Sequence, residues 1–193
     1  LRITPRSRRG TTQESRVSEL LELFYPVHYK ACIALEDEMR AGQLSRKQTA
    51  ILWLIRSEGS NGERMRRKDI ERVLQSWFEV SSSAITKALR GMARAPLNLL
   101  EIVEDPSSGR EKQVSLTPKG QKFLHVMVEQ GHRFLQPIVE RLSADEVDGG
   151  IRYLRKAVAL LEIQQSQRRE VGTSRPSTSA FARAAKNGHV NAT

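Results

Sequence analysis

Five side chains between residues 82 and 90 carry the chemistry of a polyanion-binding surface. Ser82, Ser83, Thr86, Lys87 and Arg90 recur at steps that share one face of a helix. Small hydroxyl residues at its start let a phosphate or a base edge approach closely. Lys87 and Arg90 lie about one helical turn apart and reach phosphate or guanine. The N-terminus of such a helix adds a favourable end for a phosphate. Arg110 follows Gly109 in a turn-rich segment. A tip of that kind suits an adjacent minor groove, where a narrow groove concentrates negative potential. Lys112 extends the basic character behind it. Each residue alone is most simply a solvated surface group; only the joint pattern argues for double-stranded DNA.

The distribution of charge supports this reading. The 193-residue chain holds 32 Lys and Arg against 22 Asp and Glu, a net charge of +10. Residues 64–122 contain twelve of the cations and seven of the acids. Four arginines stand within the first ten residues, and the last 28 residues are also basic. A basic centre on a milder scaffold points to a polyanion-binding module, whereas loose terminal arginines signify little. The length suits one domain with tails. The longest apolar run is six residues, Ala50–Ile55, far short of a membrane span, so no membrane partner is expected. The N-terminal arginines lack a following apolar stretch, so no secretory signal is expected. Cys32 stands alone, which excludes an intrachain disulfide and favours a reducing, cytoplasmic setting. No Gly-rich phosphate loop, H-E-x-x-H helix or G-x-S-x-G elbow occurs, so neither an enzyme nor a cofactor is expected.

Elements that would position these residues are legible in the periodicities. Residues 14–41 repeat apolar side chains at three and four, with Pro26 predicting a kink near Phe24–Tyr25 and Gly42 an end. Ser45 and Gln48 have capping-box spacing for a second helix, which Gly59 closes. Asp69 is a candidate cap for a third helix carrying Ile70, Val73, Leu74 and Trp77. Ser81 or Ser82 would cap the fourth, whose inner face is Ile85, Ala88, Leu89 and Met92. Pro96 blocks its continuation. Residues 99–104 and 112–116 then read as one hairpin around turn formers. Thr117-Pro118 starts a long helix with apolar residues from Leu124 through Leu135 and Ile138 to Leu142, bent at Pro137. Ser143 caps a last helix bearing Val147, Ile151, Leu154, Val158 and Leu161. Two stripes of heptad spacing exceed what one small core needs and suggest a seam between two copies.

Helix, helix, helix and basic hairpin describe a winged helix-turn-helix. Residues 74–87 (LQSWFEVSSSAITK) and 109–120 (GREKQVSLTPKG) resemble the helix-turn-helix and wing of the multiple antibiotic resistance regulator (MarR) family. Residues 44–54 (LSRKQTAILWL) resemble it more weakly. The resemblance spans about residues 15–165. It implies that Ser82, Ser83, Thr86, Lys87 and Arg90 form the reading helix, with Arg110 the wing arginine and Leu74, Phe78, Val80 and Ile85 in the core. Gln75 stands where alanine is usual, and Glu79 where glycine is usual. Ser108 replaces the wing aspartate, with Asp105 as candidate substitute, and Ala95-Pro96-Leu97-Asn98 departs from the usual Gly-Leu step.

The resemblance also implies a small-molecule effector. His28, Tyr29, Cys32 and Trp53, with Tyr25, are candidate pocket residues, although core packing explains them equally. An apolar neighbourhood favours a buried, inert Cys32. His125, Glu129 and His132 have the spacing of metal ligands on one helical face, as surface residues often do. The expected architecture is mostly α with a small β-hairpin wing. A disordered basic arm (1–13) precedes an N-terminal dimerisation helix (14–44) and a winged helix-turn-helix lobe (45–120). C-terminal dimerisation helices (121–168) and a disordered tail (169–193) follow. The expected function is a transcriptional regulator, a repressor, acting as a homodimer on a pseudo-palindromic operator. The alternative is a winged-helix protein-interaction module, which Gln75 and Glu79 would favour.

Overall fold

Apolar spacing and helix caps set the element order. The computed structural model describes residues 12–104 and 111–173. The chain divides into two units, Leu1–Ile138 and Val139–Thr193. The first begins with α1 (Thr12–Pro26), continues through a π-helical segment (Val27–Cys32), and ends in α2 (Ile33–Met39). Pro26 keeps helical angles, so the irregularity falls after it rather than at Phe24–Tyr25. Its missing N–H removes one ladder bond, and the next turns widen. Gly42, with φ +66°, turns the chain out of α2.

Helix α3 (Arg46–Glu58) is the centre of the core. Ser45 and Gln48 form the expected capping box: each side chain bonds the other's backbone N–H. Ile51, Leu52, Leu54 and Ile55 are fully buried, and α2, α4, α5 and β1 all pack against this helix. Gly59 ends it without a left-handed turn. A Cβ there would collide with the carbonyl oxygens of Ile55 and Arg64, so close approach is what demands glycine.

A short strand, β1 (Arg64–Arg66), leads into α4 (Arg67–Trp77) and then α5 (Ser82–Met92). The Ser81 hydroxyl caps α5 by accepting from the Ala84 N–H at 3.3 Å. Ile85, Leu89 and Met92 are buried as expected, and Ala88 packs against the core. Two expectations for α4 need correction. Asp69 is not the cap: the helix starts at Arg67, and Asp69 in its first turn accepts from Arg66 Nε at 2.7 Å. Trp77 is 47% exposed, because the helix ends there and its last side chain clears the core.

Strands β2 (Leu100–Glu104) and β3 (Lys112–Leu116) form the expected hairpin, with Ile102 opposite Val114 and Glu104 opposite Lys112. The sheet has a third strand that the sequence did not reveal. β1 pairs antiparallel with β3, giving the order β1-β3-β2. Thr117 then caps α6 (Pro118–Val139), accepting from the Gly120 N–H at 3.0 Å. Lys119 Nζ donates to Pro96 O at 2.7 Å, and Gly120 lies against the Leu99 carbonyl so closely that a Cβ would collide with it. The Thr-Pro-Lys-Gly run is therefore a weld between the wing base and α6. Along α6, Leu124, Met127 and Gly131 are buried, whereas Leu135 and Ile138 are exposed. Pro137 falls in the last turn, and the helix stops at Val139, before Leu142.

The second unit contains α7 (Ala144–Thr173). Ser143 caps it as expected: its N–H and hydroxyl donate to Glu146, and its oxygen accepts from the Glu146 N–H. Those two donors hold the Glu146 carboxyl below its usual range. Ile151, Leu154, Val158 and Leu161 are exposed on this helix. α7 continues past the expected boundary at residue 168. Of the expected arm and tail, residues 1–11 and 174–193 lie outside the described residues. Among the described residues, no helix is long and apolar enough to cross a membrane.

Two outcomes follow. Gly120→Ala must push against the Leu99 backbone and should cost about 1–3 kcal/mol. Gly150→Ala, where the added Cβ meets nothing, should stabilise by about 0.4–1 kcal/mol. Urea midpoints of the two variants check this contrast. A carboxyl whose folded pKa is depressed stabilises above its unfolded pKa and loses that contribution as pH falls. Protection of the first-turn amides of α7, measured relative to their intrinsic exchange rates, should therefore fall on acidification, and Glu146→Gln should remove this dependence.

Candidate nucleic-acid interface

Helix α5 presents the expected residues on its outer face because Ile85, Leu89 and Met92 commit the other face to the core. Ser82, Ser83, Lys87 and Arg90 are exposed; Thr86 is half-buried. Ser83, Thr86, Lys87, Arg90, Gly91 and Arg94 line one open depression. Arg94 was not singled out in the sequence. The signal was present, since Arg94 continues the step of four from Thr86 through Arg90, but it lies beyond the helix end.

The cations around α4 and those along α5 differ in their partners. Those around α4 are engaged by acids: Arg66 with Asp69 at 2.7 Å, Arg67 with Glu71 at 3.3 Å, Arg72 with Asp69 at 3.6 Å, and Lys68 with Glu111 at 3.9 Å. Among the described residues, no carboxylate pairs with Lys87, Arg90 or Arg94. A surface ion pair is worth at most about 1 kcal/mol, so pairing barely affects stability. It does affect where uncompensated positive potential remains, and the α5 face is one such place.

The turn between α4 and α5 is held by polar side chains. Gln75 Nε2 donates to Ser82 Oγ at 3.3 Å, which gives the departure from alanine a positional role. Arg67 Nη2 donates to Thr86 Oγ1 at 3.0 Å, and Thr86 Oγ1 donates to Ser82 O at 2.8 Å. Glu79 replaces glycine without strain, because residues 78–81 hold no positive φ. Phe78 and Val80 pack against the core on either side of it, as the resemblance implied. Asn98, at φ +48°, takes the left-handed position before the wing. Lys112 is exposed on β3, opposite Glu104. Arg110, Asp105 and Ser108 lie outside the described residues.

The other candidates are placed less tightly. His28 and Tyr29 meet edge to face at 4.8 Å, and Tyr25 and Tyr29 lie 5.8 Å apart. Cys32 is exposed, contrary to the expected burial, because the apolar side of this segment is only partly covered within the chain. Trp53 carries Arg56 over its ring at 5.3 Å instead of joining those aromatics. His125 Nε2 lies 3.4 Å from Glu129, but no group of side chains among the described residues is arranged to hold a metal ion. An unanticipated open cavity of about 600 Å³ is lined by Arg56, Glu63, Gln121, Leu124, His125 and Val128.

Comparison with known proteins agrees with this geometry. Residues 44–120 match the family model described as a winged helix DNA-binding domain. None of the curated proteins compared matches the chain. Solved structures share the fold. A MarR family protein from Bacillus stearothermophilus is 19% identical, with 77% of this chain and 97% of that chain covered and a TM-score of 0.64. A mutant MarR from E. coli complexed with operator DNA is 23% identical, with coverage of 74% and 95% and a TM-score of 0.53. MepR, a transcription regulator of the Staphylococcus aureus multidrug efflux pump MepA, is 19% identical, with coverage of 72% and 96% and a TM-score of 0.55. Residues 44–120 thus match a winged helix DNA-binding domain, within a chain that shares its fold with these MarR structures.

Proposed function

We propose that the chain is a cytoplasmic transcription regulator of the MarR family that binds duplex DNA as a homodimer. The observation that carries this reading is the row of cations Lys87 and Arg90 on α5 and Arg94 just past its end, none of them paired with a carboxylate among the described residues, beside neighbours around α4 whose charges are compensated. The helix enters the major groove, with Ser82 and Ser83 close to the backbone at its start and Arg90 over base edges. Arg110 and Lys112 serve the wing.

A second copy accounts for the exposed apolar stripes. Val17, Leu20, Leu21 and Phe24 on α1 are 58%, 41%, 62% and 53% exposed. Leu154, Val158 and Leu161 on α7 exceed half exposure. Contiguous apolar patches of this kind mark interfaces. Twofold symmetry then sets two reading helices about one DNA turn apart on a pseudo-palindromic operator. Occupying that operator represses transcription, and a small-molecule effector releases it. The MarR mutant complexed with operator DNA, which has the same fold, supports the mode of binding.

Genomic fragments selected on the protein supply the operator for the test. Arg90→Ala should weaken binding by about 5- to 150-fold if the guanidinium reads a base, and Arg110→Ala should also weaken it. Lys87→Ala should lower affinity across sequences and reduce the salt slope by about one. Two alanine variants at 90 and 110 that bind like the parent would overturn the site. No duplex binding at low salt would favour the interaction module. Light scattering should give twice the chain mass of 21.8 kDa; a species of single-chain mass alone would remove the dimer.

A further inference from the structure

We propose that Thr86 reads a thymine through its methyl group and not through its hydroxyl. The inference rests on α5 being the DNA-reading helix. A threonine hydroxyl has one proton to donate and two lone pairs to accept with. In this structure the proton is committed to Ser82 O at 2.8 Å. One lone pair takes the Arg67 Nη2 donor at 3.0 Å, and Arg67 is in turn held by Glu71 at 3.3 Å. The hydroxyl therefore has no proton left for thymine O4, for guanine O6 or N7, or for a phosphate.

Thr86 nonetheless lines the depression on the outer face of α5, between Ser83 and Arg90. With Oγ1 turned back to the helix and to α4, the group left for the groove is the γ-methyl. The stiff χ1 of a β-branched side chain keeps the two ends from exchanging roles. Gly91 leaves the adjacent surface low, since nothing but the end of the Gln48 side chain lies near its Cβ position. In the major groove only thymine offers a methyl of its own, and methyl-to-methyl contact is how a threonine recognises it. Ser82 has the opposite arrangement. It accepts from Gln75 and keeps its own proton, so it suits a phosphate oxygen. Arg67 is a positioning residue in this account: it touches no DNA and fixes which end of Thr86 is presented.

Deoxyuridine differs from thymidine only by the missing methyl, so it isolates the contact. In a duplex selected on the parent protein, thymines are replaced singly by deoxyuridine and affinity is measured by fluorescence anisotropy. One thymine in each half-site should show a loss of about fourfold, the worth of one buried methyl. Thr86→Ser keeps the hydroxyl and lacks the methyl, so its affinity should not distinguish thymine from uracil at that position. Thr86→Val keeps a methyl and loses the hydroxyl, and should retain the distinction. Parent protein indifferent to every replacement, or a serine variant that still discriminates, would overturn the proposal while leaving DNA binding intact. Failure of the parent to bind any duplex would instead overturn the reading on which it rests.

Discussion

The buried side of α3 is the constraint on which the lobe depends. Four core positions within five residues, Ile51, Leu52, Leu54 and Ile55, are excluded from solvent, interrupted only by the partly exposed Trp53. Burying one such side chain is worth about 1.5–3 kcal/mol relative to exposure. No surface ion pair in the lobe approaches that. Helices α4 and α5 both lean on this helix, so the angle at which α5 leaves the body is set by apolar packing. Polar side chains refine the angle: Gln75 and Arg67 each reach across from α4 to the first turns of α5. An apolar core thus fixes α5 as a rigid body, and two hydrogen bonds fix the side chains at its start.

The wing depends on a second, narrower constraint. The chain runs from α5 through a loop to β2, and the start of α6 closes that loop. Leu99 N donates to Met92 O, Leu99 O accepts from Thr117 N, and Thr117 Oγ1 donates to Asn98 O. Gly120 permits the close approach that these bonds require. Motion at the α6 start is therefore transmitted to the base of the sheet through backbone contacts. The cavity lined by Gln121, Leu124 and His125 opens beside this junction. An effector seated there would act on α6 within one turn of Gly120, which gives the proposed release a route through packed backbone.

Much of this was legible in the sequence where local chemistry decides the outcome. Ser45 with Gln48, Ser81, Thr117 with Pro118, and Ser143 each cap as their types require, because capping needs only the neighbouring backbone. The outer face of α5 was legible for a similar reason: the inner face is marked by apolar spacing and the rest follows. What escaped depends on contacts distant in sequence. Strand β1 is three residues long, two of them arginine, and exists only because β3 lies alongside. Asp69 looked like a cap by type, but capping also needs an extended backbone, and here the helix had already begun at Arg67. The roles of Gln75 and Arg67 are invisible to spacing rules, since their partners are 7 and 19 residues away. Cys32 was misjudged from its apolar neighbours in sequence, which say nothing of whether the chain itself covers them.

The apolar stripe on α6 carries the same lesson further. Its spacing is regular from Leu124 to Ile138, yet its surroundings change midway. Leu124 and Met127 are buried in the lobe, and Gly131 abuts Met39 and Leu35 of α2. Leu135 and Ile138 continue the same step and are 40% and 48% exposed. One periodic pattern therefore serves two purposes, first to fix α6 to its own chain and then to offer apolar surface beyond it. Periodicity alone cannot separate these, because the hydrophobic effect rewards removal of surface from water regardless of which chain removes it. Under the proposed dimer the two purposes join: the part of α6 that seals the lobe is rigidly continuous with the part that meets the second copy. A change in how the copies meet would then reach the reading helices through α6 and the core it shares with α5.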